Sequence, residues 1–254
     1  MMHEKPVQNL LTSRAEAIHS AQLSDSQLKS VLAVKNLSFS WPTSSFRIGI
    51  TDLNVKTDEH WLLEGPSGSG KSTLLQLLGG VLLPQRGEVS FLGQNWAALS
   101  AAQRDQHRAD HVGFIFQQFN LIPYLSALDN VLLPCRFSPM RRQAAESNGT
   151  LMDEARRLLA ALGLGTQDLQ SRRAVSLSVG QQQRVAAARA LIGKPSLVLA
   201  DEPTSALDVD NRDAFLELLF SEAHSAKTAI VLVSHDTSLR PYFEQHLSLE
   251  GGLC

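Results

Sequence analysis

The stretch that decides the fold is Gly65-Pro66-Ser67-Gly68-Ser69-Gly70-Lys71-Ser72-Thr73. It follows an apolar run that predicts a strand and precedes a leucine-rich run that predicts a helix. Glycines at this spacing let backbone N–H groups converge on a polyphosphate, and the positive end of the following helix faces the same anion. The pattern therefore predicts a phosphate-binding loop, in which Lys71 neutralises phosphate charge and the Ser72 hydroxyl binds Mg²⁺.

Two acidic residues, Asp201 and Glu202, follow a second apolar run. Such a run predicts a buried strand, which puts both carboxylates at the carboxyl edge of a sheet. We expect Asp201 to hold Mg²⁺ and Glu202 to polarise an attacking water. An isolated acidic pair is more often solvated surface charge, but the phosphate loop and the Pro203-Thr204-Ser205-Ala206-Leu207-Asp208 that follows favour a functional pair.

Composition excludes several classes of protein. Apolar residues make up 43% of the 254 residues and charged residues 19%, which indicates a globular chain. The formal net charge of -2 lacks the basic excess of a nucleic-acid binder, so we expect no nucleic-acid partner. The sequence contains no run of about 18 apolar residues, so it predicts no membrane-spanning helix. Two distant cysteines, Cys135 and Cys254, form no disulfide framework and fit a reducing cytosol.

Further apolar runs predict an α/β fold, a βα core interrupted by a helical insertion. Residues 1–29 are expected to be a polar N-terminal tail with no assigned function, and residues 136–150 a solvated loop. A helix-rich stretch covers about residues 120–190, with its clearest helices at 151–162 and 179–191. Besides the run before the phosphate loop, strands are predicted at 31–34, 37–41, 46–50, 87–92, 112–116, 196–200 and 229–233.

A third motif, Leu177-Ser178-Val179-Gly180-Gln181-Gln182-Gln183-Arg184, resembles the signature motif of the ATP-binding cassette (ABC) ATPases. Ser178 suits the N-cap of the following helix, whose first turn offers free N–H groups to an anion. Alone, the motif is compatible with an ordinary capped helix, but with the phosphate loop and the acidic pair it resembles this family. The resemblance implies that Ser178, Gly180 and Gln181 contact ATP. Val179 replaces the usual glycine, and we expect altered kinetics rather than a dead site.

Other positions match the same family. Gln117 resembles the glutamine that contacts Mg²⁺ or water, with Gln118 as the alternative. His235 resembles the switch histidine that contacts the γ-phosphate, and residues 205–208 resemble the loop that crosses to a second protomer. Trp41 resembles the aromatic residue that stacks on adenine, although the nearby Phe39 and Trp61 leave a core tryptophan as the alternative.

The resemblance implies a P-loop ABC cassette with a RecA-like core, an antiparallel β-subdomain and a helical subdomain. The ATPase domain would cover residues 30–254, with the helical subdomain at about 119–190. ATP and Mg²⁺ would be the cofactors. Two copies would face each other head to tail, with each ATP between Lys71 of one chain and Ser178 of the other. The implied catalytic residues are Lys71, Gln117, Glu202 and His235, and the implied metal ligands are Ser72, Gln117 and Asp201.

Residues 113–123 with Asp129-Asn130-Val131 are similar to the lipoprotein-release and macrolide-export subgroup. This implies a separate membrane permease, export or envelope release of a substrate, and a cytoplasmic position at the inner face of the membrane. Only nineteen residues follow His235, too few for the regulatory domain of some importer ATPases, which favours export. Two alternatives remain open at this point. One is a regulatory ATPase on a non-transporting membrane partner, and the other is an ABC ATPase of translation or DNA repair.

Overall fold

The computed structural model describes residues 29–42 and 47–249. The predicted N-terminal tail lies outside the described residues except for Lys29, and so does Phe46 of the predicted strand at 46–50. The described chain folds into two β-sheets and a mainly helical segment between two strands of the second sheet.

The first sheet is antiparallel and has the strand order β2-β1-β4-β5. The two predicted strands at 31–34 and 37–41 form one strand, because Asn36 adopts a left-handed conformation (φ 48°) without ending it. Pairing with β4 shifts between Lys35 and Ser38 at this irregularity. The strands are β1 (Ser30–Ser40), β2 (Arg47–Lys56), β4 (Arg86–Phe91) and β5 (Gln94–Asn95).

The second sheet has the strand order β6-β7-β8-β3-β9, and every neighbouring pair is parallel. The carboxyl ends of its strands therefore meet at one edge, where ligands bind in open α/β sheets. The strands are β3 (His60–Glu64), β6 (Val112–Ile115), β7 (Leu197–Asp201), β8 (Ala229–Ser234) and β9 (Gln245–Ser248).

Helices connect these strands, and the predicted helices at 151–162 and 179–191 are confirmed. Within the described ranges, none of them has both the length and the apolar character needed to cross a membrane. The helices are α1 (Lys71–Leu78), α2 (Ala101–His111), α3 (Ala127–Leu132), α4 (Pro134–Phe137), α5 (Pro139–Ala145), α6 (Leu151–Ala161), α7 (Gln167–Ser171), α8 (Val179–Leu191) and α9 (Val209–Ala226).

The expectation of a solvated loop at residues 136–150 is wrong, because α5 and the last two residues of α4 lie there. Ser138 caps α5 by accepting a hydrogen bond from Arg141 N, and Pro139 occupies the first helical position. The Arg141 side chain is buried and donates to the carbonyl oxygens of Ala190 (2.7 Å) and Ile192 (2.8 Å) at the end of α8. A polar sequence can therefore be buried here, because backbone carbonyls satisfy the guanidinium.

Helix α2 was not among the predicted helices. Its start carries a capping box, in which Ser100 accepts from Gln103 N and the Gln103 side chain accepts from Ser100 N. A serine followed by glutamine three residues later is a sequence signal for a helix start, and it would have located α2.

The parallel sheet separates two hydrophobic cores. Alternate residues of its strands point to opposite faces, as the pleat requires. Val198 and Ile230 join a core built with α3, α6, α8 and α9. Leu199 and Val231 join a second core, built with the antiparallel sheet and α1. Central strands buried on both faces explain the continuous apolar runs of the sequence.

Strand β6 approaches α8 very closely at Gly113. A Cβ on Gly113 would lie 2.3 Å from the carbonyl oxygen of Ala190, so a larger residue requires the backbone to move. This contact fixes the C-terminal end of α8 against the strand that leads to Gln117.

We predict that Gly113→Ala lowers the free energy of unfolding by about 1–3 kcal/mol, the usual cost of overpacking a close contact. Gly165→Ala is the matched control, because its Cβ would make an ordinary 3.5 Å contact with the Ala160 side chain. Urea unfolding measures both. Equal stability of the two variants would contradict the close approach.

Candidate active site

The phosphate loop joins β3 to α1 at the carboxyl edge of the parallel sheet. Gly68 (φ 81°) and Gly70 (φ 82°) adopt left-handed conformations that side chains disfavour. Gly70 is the N-cap of α1, and no side chain caps the helix. The N–H groups of the first turn are thus available to a phosphate, and the helix dipole favours the negative charge.

Lys71 lies within this loop. Its ammonium donates to the carbonyl oxygens of Gly65 (2.9 Å) and Pro66 (3.0 Å), and lies 3.4 Å from Glu202 Oε1. The Lys71 and Glu202 side chains are each only 8% exposed. The structure therefore joins the phosphate loop to the acidic pair by a buried contact between opposite charges.

Glu202 is held from several sides. Its backbone is left-handed (φ 46°), which is uncommon for a non-glycine residue and marks strain that functional sites often store. Its N–H donates to Val233 O, Ser234 Oγ donates to Oε2 (3.0 Å), and His235 Nδ1 lies 2.8 Å from Oε1. Three predicted site residues, Lys71, Glu202 and His235, thus lie in one cluster.

Asp201 ends β7 next to the first turn of α1. Burial raises the pKa of its carboxyl, a hydrogen bond with the Ser72 side chain opposes this, and the neighbouring Glu202 charge raises the pKa further. A carboxylate and a hydroxyl are oxygen donors of the kind that Mg²⁺ prefers. The residues present therefore fit the predicted magnesium ion, whose charge would favour the ionised form of Asp201.

Gln117 lies at the same edge. Ile115, the last residue of β6, pairs with Ala200 of β7, so the turn that carries Gln117 leaves the sheet at the same edge as Asp201 and Glu202. Gln117 and Gln118 are both exposed in a turn closed by a hydrogen bond from Phe119 N to Phe116 O (2.8 Å). The described structure places both glutamines in this turn and gives neither a side-chain hydrogen bond.

Trp41 lies beside the phosphate loop and is not a core residue. Its side chain is 44% exposed, packs edge to face on Phe39 and places Nε1 3.5 Å from Thr73 Oγ1. Trp96, by contrast, is fully buried and lies at the other end of α1, where its Nε1 donates to Leu78 O. An exposed ring next to the loop is available to a flat ligand.

Ser178 caps α8 through a reciprocal box with Gln181, at 3.3 and 3.0 Å. Val179, the first helical residue, is 51% exposed, and a Cβ on Gly180 would contact only the Leu207 side chain. Among residues 29–42 and 47–249, no hydrogen bond or ion pair joins Ser178 to the phosphate loop. The structure therefore does not bring the signature motif into the cluster around Lys71.

Sequence reasoning missed an ion pair behind the site, between Glu64 and Arg240. Glu64 is buried directly before the loop, and Arg240 Nε and Nη2 lie 2.6–3.0 Å from its carboxylate oxygens. Arg240 belongs to a 3₁₀ helix that follows His235 (Thr237–Tyr242). The pair links the two segments, and its only sequence signal is a carboxylate at the end of an apolar strand.

A phosphate loop at a helix N-terminus, with strand-end carboxylates on a neighbouring parallel strand, defines a P-loop nucleotide-binding protein. The ABC transporter family model matches residues 49–205. The chain belongs to the ABC transporter family, as an ATP-binding protein. The fold expected from the resemblance, an ABC cassette with parallel and antiparallel sheets, is confirmed by the solved structures it matches.

Relatives place the chain near one subgroup. It is 40% identical over 201 residues to the lipoprotein-releasing system ATP-binding protein LolD of Xanthomonas axonopodis pv. citri (strain 306), covering 79% of each chain. It is 42% identical to the uncharacterized ABC transporter ATP-binding protein YbbA of Escherichia coli (strain K12), covering 79% of this chain and 85% of YbbA. The dimeric post-hydrolysis structure of the ATP-binding cassette MJ0796, bound to ADP and Pi, matches with a TM-score of 0.73 and 34% identity, covering 87% and 95%.

We predict that Arg240→Met destabilises the protein at neutral pH. Hydrogen bonds from Arg240 lower the pKa of the Glu64 carboxyl, so this pair stabilises the fold above the usual glutamate pKa and ceases to do so as pH falls through the lowered value. The difference in free energy of unfolding between the parent protein and the variant should therefore shrink in acid, where Glu64 is protonated.

Urea unfolding of both proteins at several pH values measures this difference. Arg142→Met is the control, because its ion pair with Glu146 is largely exposed and should contribute little. A difference that stays constant from neutral to acidic pH would rule out the ion pair as its cause.

Proposed function

We propose that this chain hydrolyses ATP and thereby powers export or envelope release of a substrate through a separate membrane permease, at which it is located. The observation that carries the hydrolytic part is the cluster in which Glu202 lies against His235 and Lys71 beside the phosphate loop. The likeness to LolD, a lipoprotein-releasing system ATP-binding protein, supports release over a purely regulatory role.

The phosphate loop binds the triphosphate of ATP. N–H groups at the start of α1 bind phosphate oxygens, and the Lys71 ammonium neutralises β/γ-phosphate charge. Ser72 and Asp201 would hold Mg²⁺, which supplies further neutralisation of the phosphates when bound. Trp41, exposed beside the loop, stacks on the adenine ring.

Glu202 orients and polarises the attacking water. The carboxylate is held by Ser234 and His235, so its lone pairs have a fixed direction. His235 contacts the γ-phosphate, and Gln117, at the same edge of the sheet as Glu202, would contact Mg²⁺ or the water. Phosphoryl transfer needs little more than such positioning and charge neutralisation.

A second copy completes the site. Ser178 caps α8 at a surface that does not contact the phosphate loop of its own chain, and Val179 beside it is exposed. In the proposed head-to-tail dimer, Ser178, Gly180 and Gln181 of one copy bind the ATP held by Lys71 of the other. The dimeric form of MJ0796 with ADP and Pi supports this arrangement.

We predict that Glu202→Gln binds Mg-ATP but lowers kcat by about 10²-fold or more, the usual contribution of a general base. ATP should then accumulate in the dimer. Phosphate release and light scattering after gel filtration with Mg-ATP measure the two effects. Glu217→Gln, at an exposed position on α9, is the control.

A Glu202→Gln chain that stays monomeric with ATP bound would contradict the dimer. Undiminished phosphate release would contradict the role of Glu202.

We predict that Val179→Gly changes kcat by less than about tenfold, or ~1.4 kcal/mol in the barrier, because the Ser178 cap and Gly180 are both intact. Ala101→Gly is the matched control. Ala101 is the first residue of α2, as Val179 is of α8, and both follow a capping serine and precede the glutamine of the capping box by two residues. Steady-state phosphate release measures both. A rise from background to full activity in Val179→Gly would show that valine disables the parent site.

A further inference from the structure

The turn that carries Gln117 has a strained backbone. Phe119 (φ 59°) and Asn120 (φ 48°) are consecutive left-handed residues. Each residue in a sparsely populated region costs of order 1–3 kcal/mol, and persists only where its surroundings impose it. Asparagine tolerates the left-handed region better than phenylalanine does, so the conformation of Phe119 requires an external restraint.

Arg189 supplies that restraint from the last turn of α8. Its Nη2 donates to Phe119 O (2.6 Å) and its Nη1 to Asn120 O (2.7 Å). Two parallel N–H donors of a planar guanidinium match two adjacent carbonyl oxygens, a geometry that lysine cannot reproduce. Within the part of the chain that the structure describes, no carboxylate forms an ion pair with Arg189, and its guanidinium donates to these two carbonyl oxygens.

The same end of α8 is fixed in two further ways. Gly113 of β6 touches the backbone of Ala190, and buried Arg141 donates to the carbonyls of Ala190 and Ile192. Strand β6 leads directly into the Gln117 turn, so one end of the helix is joined to the strand and to the turn. The other end, at Ser178, lies about 16 Å away at 1.5 Å per residue.

We propose that Arg189 is a positioning residue that locks the signature helix α8 to the Gln117 turn, so that Ser178 and Gln117 move as one body. This inference rests on the proposed function, which assigns contacts at the ATP site both to Ser178, at the start of α8, and to Gln117, in the turn held at the other end of α8. Without the guanidinium, the strained turn relaxes and the two ATP-contacting groups lose their fixed relation. ATP binding to the phosphate loop is unaffected, because none of these contacts involves β3 or α1.

Steady-state kinetics of Arg189→Met and Arg189→Lys test the proposal. We expect Arg189→Met to lower kcat by at least about tenfold, since small misplacements of positioning groups have effects of this size or larger. KM for ATP should change little. Arg189→Lys should recover part of kcat, because an ammonium can donate to one of the two carbonyls.

Arg184→Met is the matched control. Arg184 lies on the same helix and donates to Leu162 O (3.0 Å) at the end of α6, away from the Gln117 turn. If both variants lose similar stability in urea and similar kcat, the role of Arg189 is only structural and the proposal is overturned. It is also overturned if kcat is unchanged or if KM alone rises.

Amide hydrogen exchange of the nucleotide-free chain separates this proposal from the proposed function. Exchange in residues 116–121 should be faster in Arg189→Met than in the parent chain or Arg184→Met. Equal rates overturn the positioning role whatever the ATPase activity. A different result would contradict only the proposed function: the parent chain binds no ATP, but exchange is still faster in Arg189→Met. The restraint by Arg189 would then remain supported.

Discussion

The candidate site depends on the parallel pairing of β8 with both β3 and β7. The registers Glu64 with Ser234 and Asp201 with Val233 set three strand ends at one level. The phosphate loop, Glu202 and His235 each follow one of these ends, so hydrogen bonds between strands fix their spacing before any side chain contributes. The ion pair behind the loop adds a second link between the first and last of these segments.

Charges in this protein are buried in two different ways. Lys71 and Glu202 face each other within the site at 3.4 Å, so that each charge is opposed by the other. Arg141, which is buried, and Arg189, which is half-buried, have no carboxylate partner among the described residues and donate to backbone carbonyls. The carbonyls that accept from Arg141 lie at the end of α8, where they carry partial negative charge and have no partner within the helix, whereas those that accept from Arg189 belong to the Gln117 turn.

Much of the fold could be predicted, because apolar runs and glycine patterns report local structure directly. Examples are β7, which leads into the acidic pair, β8, which precedes His235, and the helix after Ser178. The segment around Arg141 could not be predicted, because its burial depends on carbonyls that come from α8 only after folding. The pairing of Glu64 with Arg240 is hidden for the same reason, since nothing near either residue in the sequence indicates the other. The start of α2 differs from both, because its capping box, Ser100 with Gln103, is a local signal in the sequence.

The two cores on opposite faces of the parallel sheet give the protein separable parts. Neighbouring residues of one strand, such as Val198 and Leu199, belong to different packing environments. A substitution in the core among the helices therefore need not disturb the packing beneath the phosphate loop, because the parallel sheet lies between the two. The sheet thus acts as a partition that confines the effect of a packing defect to one side of the protein.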